Sequence, residues 1–205
     1  MKLRTTFVIL VLAIGYNFAV AKINAGAFMN DAAKTIITSK SIEASFKIES
    51  NGQTTIIGDI AVKGEKFAIT TTANSTIFNG NTQWTISSAD KEISVFEPTA
   101  DEIAQINPFS IIRSYEKNYN IKLISSDNTA VEIQLVPKKK ETTIKKIVIT
   151  FGARTKLPQR MMLTLDDNKV LSIGIFDVRT DADIKSSRFE FIDKNYPGYE
   201  IIDLR

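Results

Sequence analysis

Carboxylates are the candidate acid–base groups left to this chain. The 205 residues contain no histidine and no cysteine. That removes imidazole bases, thiolate nucleophiles, disulfides and Cys/His zinc sites. Two carboxylate clusters remain, Asp166-Asp167 and Asp181-x-Asp183. A glycosidase pair has to project from two elements across a cleft, whereas each of these clusters falls within one predicted turn, where a solvated Asp is the common case. Neither carries the full set of oxygen ligands and closing Glu of a calcium loop. Lys138-Lys139-Lys140, with Lys145 and Lys146, suits either an anionic membrane surface or a solvated hairpin. With 26 basic and 23 acidic residues, charge alone points to no nucleic-acid partner. No catalytic set, metal or cofactor is expected.

The strongest chemical feature is apolar. Between residues 46 and 84 apolar residues alternate at period two, with Asn and Gly between the runs, which marks consecutive antiparallel strands. Gly64-Glu65 suits a two-residue turn with Gly first. That register sets Val62 opposite Phe67, Ile60 opposite Ile69 and Gly58 opposite Thr71, so the apolar residues share one face. In-phase pairing with the preceding strand sets Ile48 opposite Ile56, Ala44 opposite Ile60 and Ile42 opposite Val62. It needs a three-residue connection at Asn51-Gly52-Gln53. Gly80-Asn81 similarly sets Ile77 opposite Trp84. The extended apolar face comprises Phe46, Ile48, Ile60, Val62, Phe67, Ile69, Trp84, Ile133, Leu135, Ile149, Met161, Leu163, Ile173 and Ile175.

The remaining elements follow from spacing. Residues 1–21 read as a signal peptide: Lys2 and Arg4, an apolar run from 7 to 14, then Ala19-Val20-Ala21. Its removal takes the formal charge from +3 to +1, and residues 22–205 form a single domain. Residues 24–38 predict a helix with Phe28, Met29, Ala32, Ala33, Ile36 and Ile37 on one stripe. A sixth strand over 91–97 ends at Pro98. Thr99 to Glu102 forms a capping box for a short helix carrying Ile103 and Ile106. Asn107-Pro108 starts another, with Phe109, Ile111, Ile112 and Tyr115. These two helices suit either a lid or an ordinary αα corner over a core. Strands follow over 119–124, 131–136, 145–151, 161–165, 170–178 and 188–192. The terminal residues 200–205 suit an edge strand or an ordered tail. The expectation is a mainly β, α+β fold: one curved antiparallel sheet of about eleven strands, with an N-terminal helix and short lid helices over its apolar face.

The order of Gly58-x-Ile60-x-Val62-Lys63-Gly64-x-Lys66-Phe67, Ile77-Phe78-Asn79-Gly80-Asn81-x-x-Trp84, Glu97-Pro98 and Asn107-Pro108 resembles the periplasmic outer-membrane lipoprotein carrier family of LolA type. The resemblance spans roughly residues 28–191. It implies an unclosed half-barrel plugged by helices, with no catalytic residue. It also implies a monomeric periplasmic carrier of lipoprotein acyl chains. The donor would be an inner-membrane lipoprotein-releasing transporter, and the receiver an outer-membrane acceptor or the membrane itself. The apolar face would be the acyl cavity, and Ile103, Ile106, Phe109, Ile112 and Tyr115 the lid. A periplasmic sensor module using the same half-barrel for a lipidated or peptide signal is the alternative. A lipid-anchored acceptor is disfavoured because no Cys follows Ala21. One departure stands out. Proteobacterial relatives carry Arg-Pro at the turn where this chain has Gly64-Glu65, and the resemblance implies that this Arg holds the lid. Lys63 and Lys66 lack the guanidinium fork, so the lid is expected to open more readily here.

Overall fold

Three helices and a twelve-stranded sheet make up the described residues, 23–50 and 53–205, of the computed structural model. The predicted signal peptide lies outside them, as do Asn51 and Gly52 of the first predicted turn. The strands are β1 (Ile42–Ser50), β2 (Gln53–Lys63), β3 (Lys66–Thr71), β4 (Asn74–Phe78), β5 (Gln83–Ser87), β6 (Glu92–Phe96), β7 (Tyr119–Ser126), β8 (Ala130–Pro137), β9 (Ile144–Gly152), β10 (Pro158–Leu165), β11 (Val170–Thr180) and β12 (Glu200–Asp203). Their order is β12-β6-β5-β4-β3-β2-β1-β11-β10-β9-β8-β7, so the sheet is not closed into a barrel. The β1–β11 pairing joins the two halves of the chain.

Turn chemistry and alternation set the pairing as expected. Gly64 takes φ +59°, and Val62, Ile60 and Gly58 face Phe67, Ile69 and Thr71. Ile42, Ala44 and Ile48 face Val62, Ile60 and Ile56. A register shift after Ile48 then pairs Glu49 with Thr54 and Ser50 with Gln53. Gln53 is therefore a strand residue rather than part of a three-residue connection. Gly58 faces Phe46, and a Cβ there would approach the Phe46 ring to 2.9 Å.

Helix α1 (Ala25–Thr38) is capped by Asn24, whose side chain accepts from the Ala27 N–H. It buries Phe28, Met29, Ala32, Ala33 and Ile36. Ile37, expected on the same stripe, is 60% exposed. It follows Ile36 by one residue, about 100° around the helix, which carries it off the buried side. Helices α2 (Ala100–Ile106) and α3 (Pro108–Asn118) start as predicted. Thr99 and Glu102 complete the capping box, and Asn107 caps α3 with Pro108 in its first turn.

Two further expectations are corrected. Residues 188–192 form no strand; Ser186–Phe189 is a 3₁₀ turn. The neighbouring strands β2–β5 are already paired on both sides, so this segment crosses the sheet's outer face and is held by side chains. Phe189 packs with Ala61, Ala68 and Ile184, and Phe191 stacks on Trp84 at 5.4 Å. The chain end then supplies β12, which pairs parallel to β6 and makes twelve strands rather than about eleven.

Candidate functional site

The inner face of the sheet divides into a filled part and an open part. Cross-strand pairs carry an apolar layer from β4 to β8: Phe78 with Phe67, Phe67 with Val62, Ile48 with Ile173, Ile173 with Met161, Met161 with Ile149, and Ile149 with Ile133. Over β8–β10 this layer is filled. Ile133, Leu135, Ile149, Met161 and Leu163 are buried in one core with α1 and α3. Phe28 of α1 meets Phe151 edge-on at 5.6 Å. Val62 and Phe67 belong to the same core.

The open part lies over β1–β5 and β11. Here Phe46, Ile48, Ile56, Ile60, Ile69 and Ile173 form the apolar walls of a pocket of about 290 Å³. Thr71, Asn74, Thr76 and Thr85 give it a polar, uncharged side, and Gln105, Ile106 and Pro108 roof it at the joint between α2 and α3. No lining side chain is charged. Apolar surface with a few neutral hydrogen-bonding groups is a chemistry for holding an uncharged, amphipathic ligand. Of the expected lid residues, Ile106 roofs the pocket and is 37% exposed. Ile103 packs part-buried on the core, while Phe109, Ile112 and Tyr115 are buried and occupy the inner face themselves.

Trp84 is the one expected face residue that points away. It pairs with Ile77 as read, but both lie on the outer face with Ile86 and Val95, beneath Phe191 and near Tyr196 and Tyr199. On β5 the inward phase belongs to Gln83 and Thr85, one buried and one lining the pocket. The rule that bulky apolar residues face the cavity fails where the opposite face is covered too.

The lid carries an arginine, although the turn does not. Arg113 of α3 donates through Nη1 to the carbonyl oxygen of Gly64, and the same nitrogen lies 3.6 Å from the Glu65 carboxylate. The Arg113 side chain is 15% exposed, and its Nε is buried without a partner among the described residues. Burial lowers its pKa from the ordinary arginine value, and the Glu65 charge opposes that shift. The turn lacks the arginine, and the lid supplies one in its place: the donor sits on the lid and the acceptor on the turn. Lys63 turns instead to the Ile184 carbonyl at 3.3 Å. The available signal was Arg113 itself, the only cation between Pro108 and Tyr115. A second tie joins lid to plug, where the Tyr115 hydroxyl donates to Asn30 Oδ1 of α1.

The carboxylate clusters hold backbone amides, one within its own turn and one far along the chain. Asp167 accepts from the Lys169 N–H at 2.9 Å, and Asp181 accepts from the Lys40 N–H at 2.8 Å.

A family described as "Outer membrane lipoprotein carrier protein LolA" matches residues 16–165. The chain belongs to this LolA family. A relative from Francisella philomiragia named outer-membrane lipoprotein carrier protein is 29% identical over 201 residues, covering 93% of each chain. Among solved structures, an uncharacterized conserved protein from Thermus thermophilus superposes with a TM-score of 0.59 at 7% identity, over 87% of this chain and 98% of that one. A DUF1329 family protein from Desulfovibrio piger gives 0.50 at 13% identity, over 81% and 97%. At such identities the structural likeness concerns the LolA-type fold alone.

Proposed function

We propose that this protein is a periplasmic carrier of lipoproteins, holding their acyl chains against the inner face of the half-barrel on the way from the inner to the outer membrane. The observation that carries this reading is the uncharged pocket beneath the α2–α3 joint, continuous with a face that the lid side chains occupy. Its volume of about 290 Å³ lies at the lower limit of ligand pockets, about 300 Å³. It suits part of one acyl chain with the lid in place. A larger anchor enters as Phe109 and Ile112 leave. Each buried acyl methylene contributes roughly 0.8 kcal/mol, while each departing lid side chain re-exposes comparable apolar surface. Exchanging one for the other keeps net affinity moderate, and a carrier needs moderate affinity to release its cargo. In this reading the protein acts as a monomer. It takes cargo from an inner-membrane lipoprotein-releasing transporter and yields it to an outer-membrane acceptor or the membrane. The family match and the Francisella relative's name support it.

An environment-sensitive fatty-acid probe tests the site. Ile56 and Ile106 are pocket residues with substantial exposure, so Ile56→Glu or Ile106→Glu places charge at the pocket with little cost to folding. Either variant is expected to reduce probe affinity at least tenfold with an unchanged unfolding midpoint. Wild-type binding no stronger than that of a closed β-sandwich would overturn the reading. Mass spectrometry of the protein from its own envelope should show a 1:1 complex with a triacylated protein, and N-terminal sequencing should begin at Lys22.

A further inference from the structure

The β8–β9 hairpin gathers positive charge that no neighbouring side chain pairs. Lys138, Lys139 and Lys140 occupy the connection, Lys145 and Lys146 begin β9, and Lys117 lies in the last turn of α3. All six are exposed, and none forms an ion pair with a described residue. Two clefts share Pro137, Lys139 and Thr142 and so form one groove across the hairpin. Lys117, Lys138 and Tyr119 line one side of it, and Lys140, Lys145 and Val136 the other. Asp101 lines the first cleft, and Glu141 follows Lys140 in the turn, without pairing to these lysines. The whole chain carries only +3, so this corner is a local concentration rather than a general surplus.

We propose that this hairpin groove is a docking surface for an anionic phospholipid bilayer. Lysine rather than arginine fits that partner, because a compact hydrated ammonium meets a fluid array of phosphates without needing a fixed fork. Val136, exposed on the same hairpin, offers an apolar contact for the headgroup region. The hairpin is also stitched to the lid helix. The Lys138 N–H donates to the Asn118 carbonyl at 2.8 Å, and its Nζ donates to the Glu116 carbonyl at 2.6 Å. A bilayer at this groove therefore meets the last turn of α3, whose first turns fill the inner face. The proposal does not depend on what the pocket holds.

Vesicle flotation of the mature chain tests it. Binding is expected to phosphatidylglycerol–phosphatidylethanolamine vesicles and not to pure phosphatidylcholine vesicles, with steep loss on adding salt. Each lysine near an anionic surface is worth about fivefold in affinity, so Lys139→Gln/Lys140→Gln/Lys145→Gln should weaken binding roughly 100-fold. The thermal midpoint and fatty-acid probe affinity of that variant should match wild type, which separates this outcome from failure of the pocket. Binding that the triple variant leaves unchanged overturns the proposal. So does a wild type that ignores the anionic vesicles but binds soluble polyglutamate through the same lysines, which would assign the groove to an acidic protein partner.

Discussion

Arg113 concentrates the lid's attachment to the β2–β3 turn in one guanidinium. Its bond to the Gly64 carbonyl and its ion pair with Glu65 differ in worth. A hydrogen bond to a charged group contributes about 1.5–3 kcal/mol. A pair whose carboxylate is 86% exposed is worth at most about 1 kcal/mol. Arg113→Ala is therefore expected to raise hydrogen exchange across residues 109–115 by one to two decades. Glu65→Gln should change it by less than about fivefold. Equal effects would show that the ion pair, not the turn carbonyl, holds the lid. Lys63→Ala and Lys66→Ala should leave lid exchange unchanged, since Lys63 is engaged with Ile184 and Lys66 is exposed. Tyr115 adds a pH dependence. Burial, then the nearby Glu116 charge, raises its pKa from the ordinary tyrosine value. A raised folded-state pKa means its contribution is intact below about pH 10 and is lost as pH rises further. Lid exchange should accelerate in that alkaline range, and Tyr115→Phe should remove that component.

Among the elements, the segment after β11 does what a strand was expected to do, by another means. Its two phenylalanines anchor on opposite parts of the outer face, Phe189 on Ala61 and Ala68 and Phe191 on Trp84, before β12 covers the edge of β6. Phe189 is fully buried, so Phe189→Ala should cost about 3–5 kcal/mol of stability by chemical denaturation. Because the pocket is on the inner face, probe affinity of the folded variant should be unchanged. A parallel loss of both would mean that the outer cover shapes the pocket. Gly58 is the counterpart inside the sheet: at the crossing of the Phe46 ring over β2, a Cβ would clash with the Thr70 carbonyl oxygen and press on the ring. Gly58→Val is expected to overpack this crossing, at about 1–3 kcal/mol.

For the molecule as a whole, the carrier reading has lid and ligand compete for one apolar face. Ile112 is fully buried in that contact, and Ile112→Ala should cost about 2–5 kcal/mol. The carrier reading makes an unusual prediction for this variant. Its melting temperature should fall, its affinity for a triacylated lipopeptide should rise, and its affinity for a single-chain probe should stay within about twofold. A fall in lipopeptide affinity that tracks stability would count against displacement of the lid as the loading step.

Local chemistry in the sequence determined much of this. Gly64 gives the hairpin its positive φ and thereby the pairs from Val62–Phe67 to Gly58–Thr71. Thr99 with Glu102, and Asn107 with Pro108, start the two lid helices because their side chains satisfy amides a few residues away. The order of the Gly64 hairpin, the Ile77–Trp84 run, Glu97-Pro98 and Asn107-Pro108 also carried the LolA resemblance that the family match bears out. What depended on distant partners was decided only by tertiary structure. Alternation says that Trp84 and Gln83 face opposite ways, but not which side faces the cavity. That depends on Phe191, more than a hundred residues later. Which of the apolar inner residues line an open pocket and which are filled depends on where α1 and α3 come to rest, and residue identity does not tell the two groups apart. Arg113 reaches a carbonyl 49 positions away. That acceptor is backbone, and a backbone carbonyl leaves no mark in residue identity.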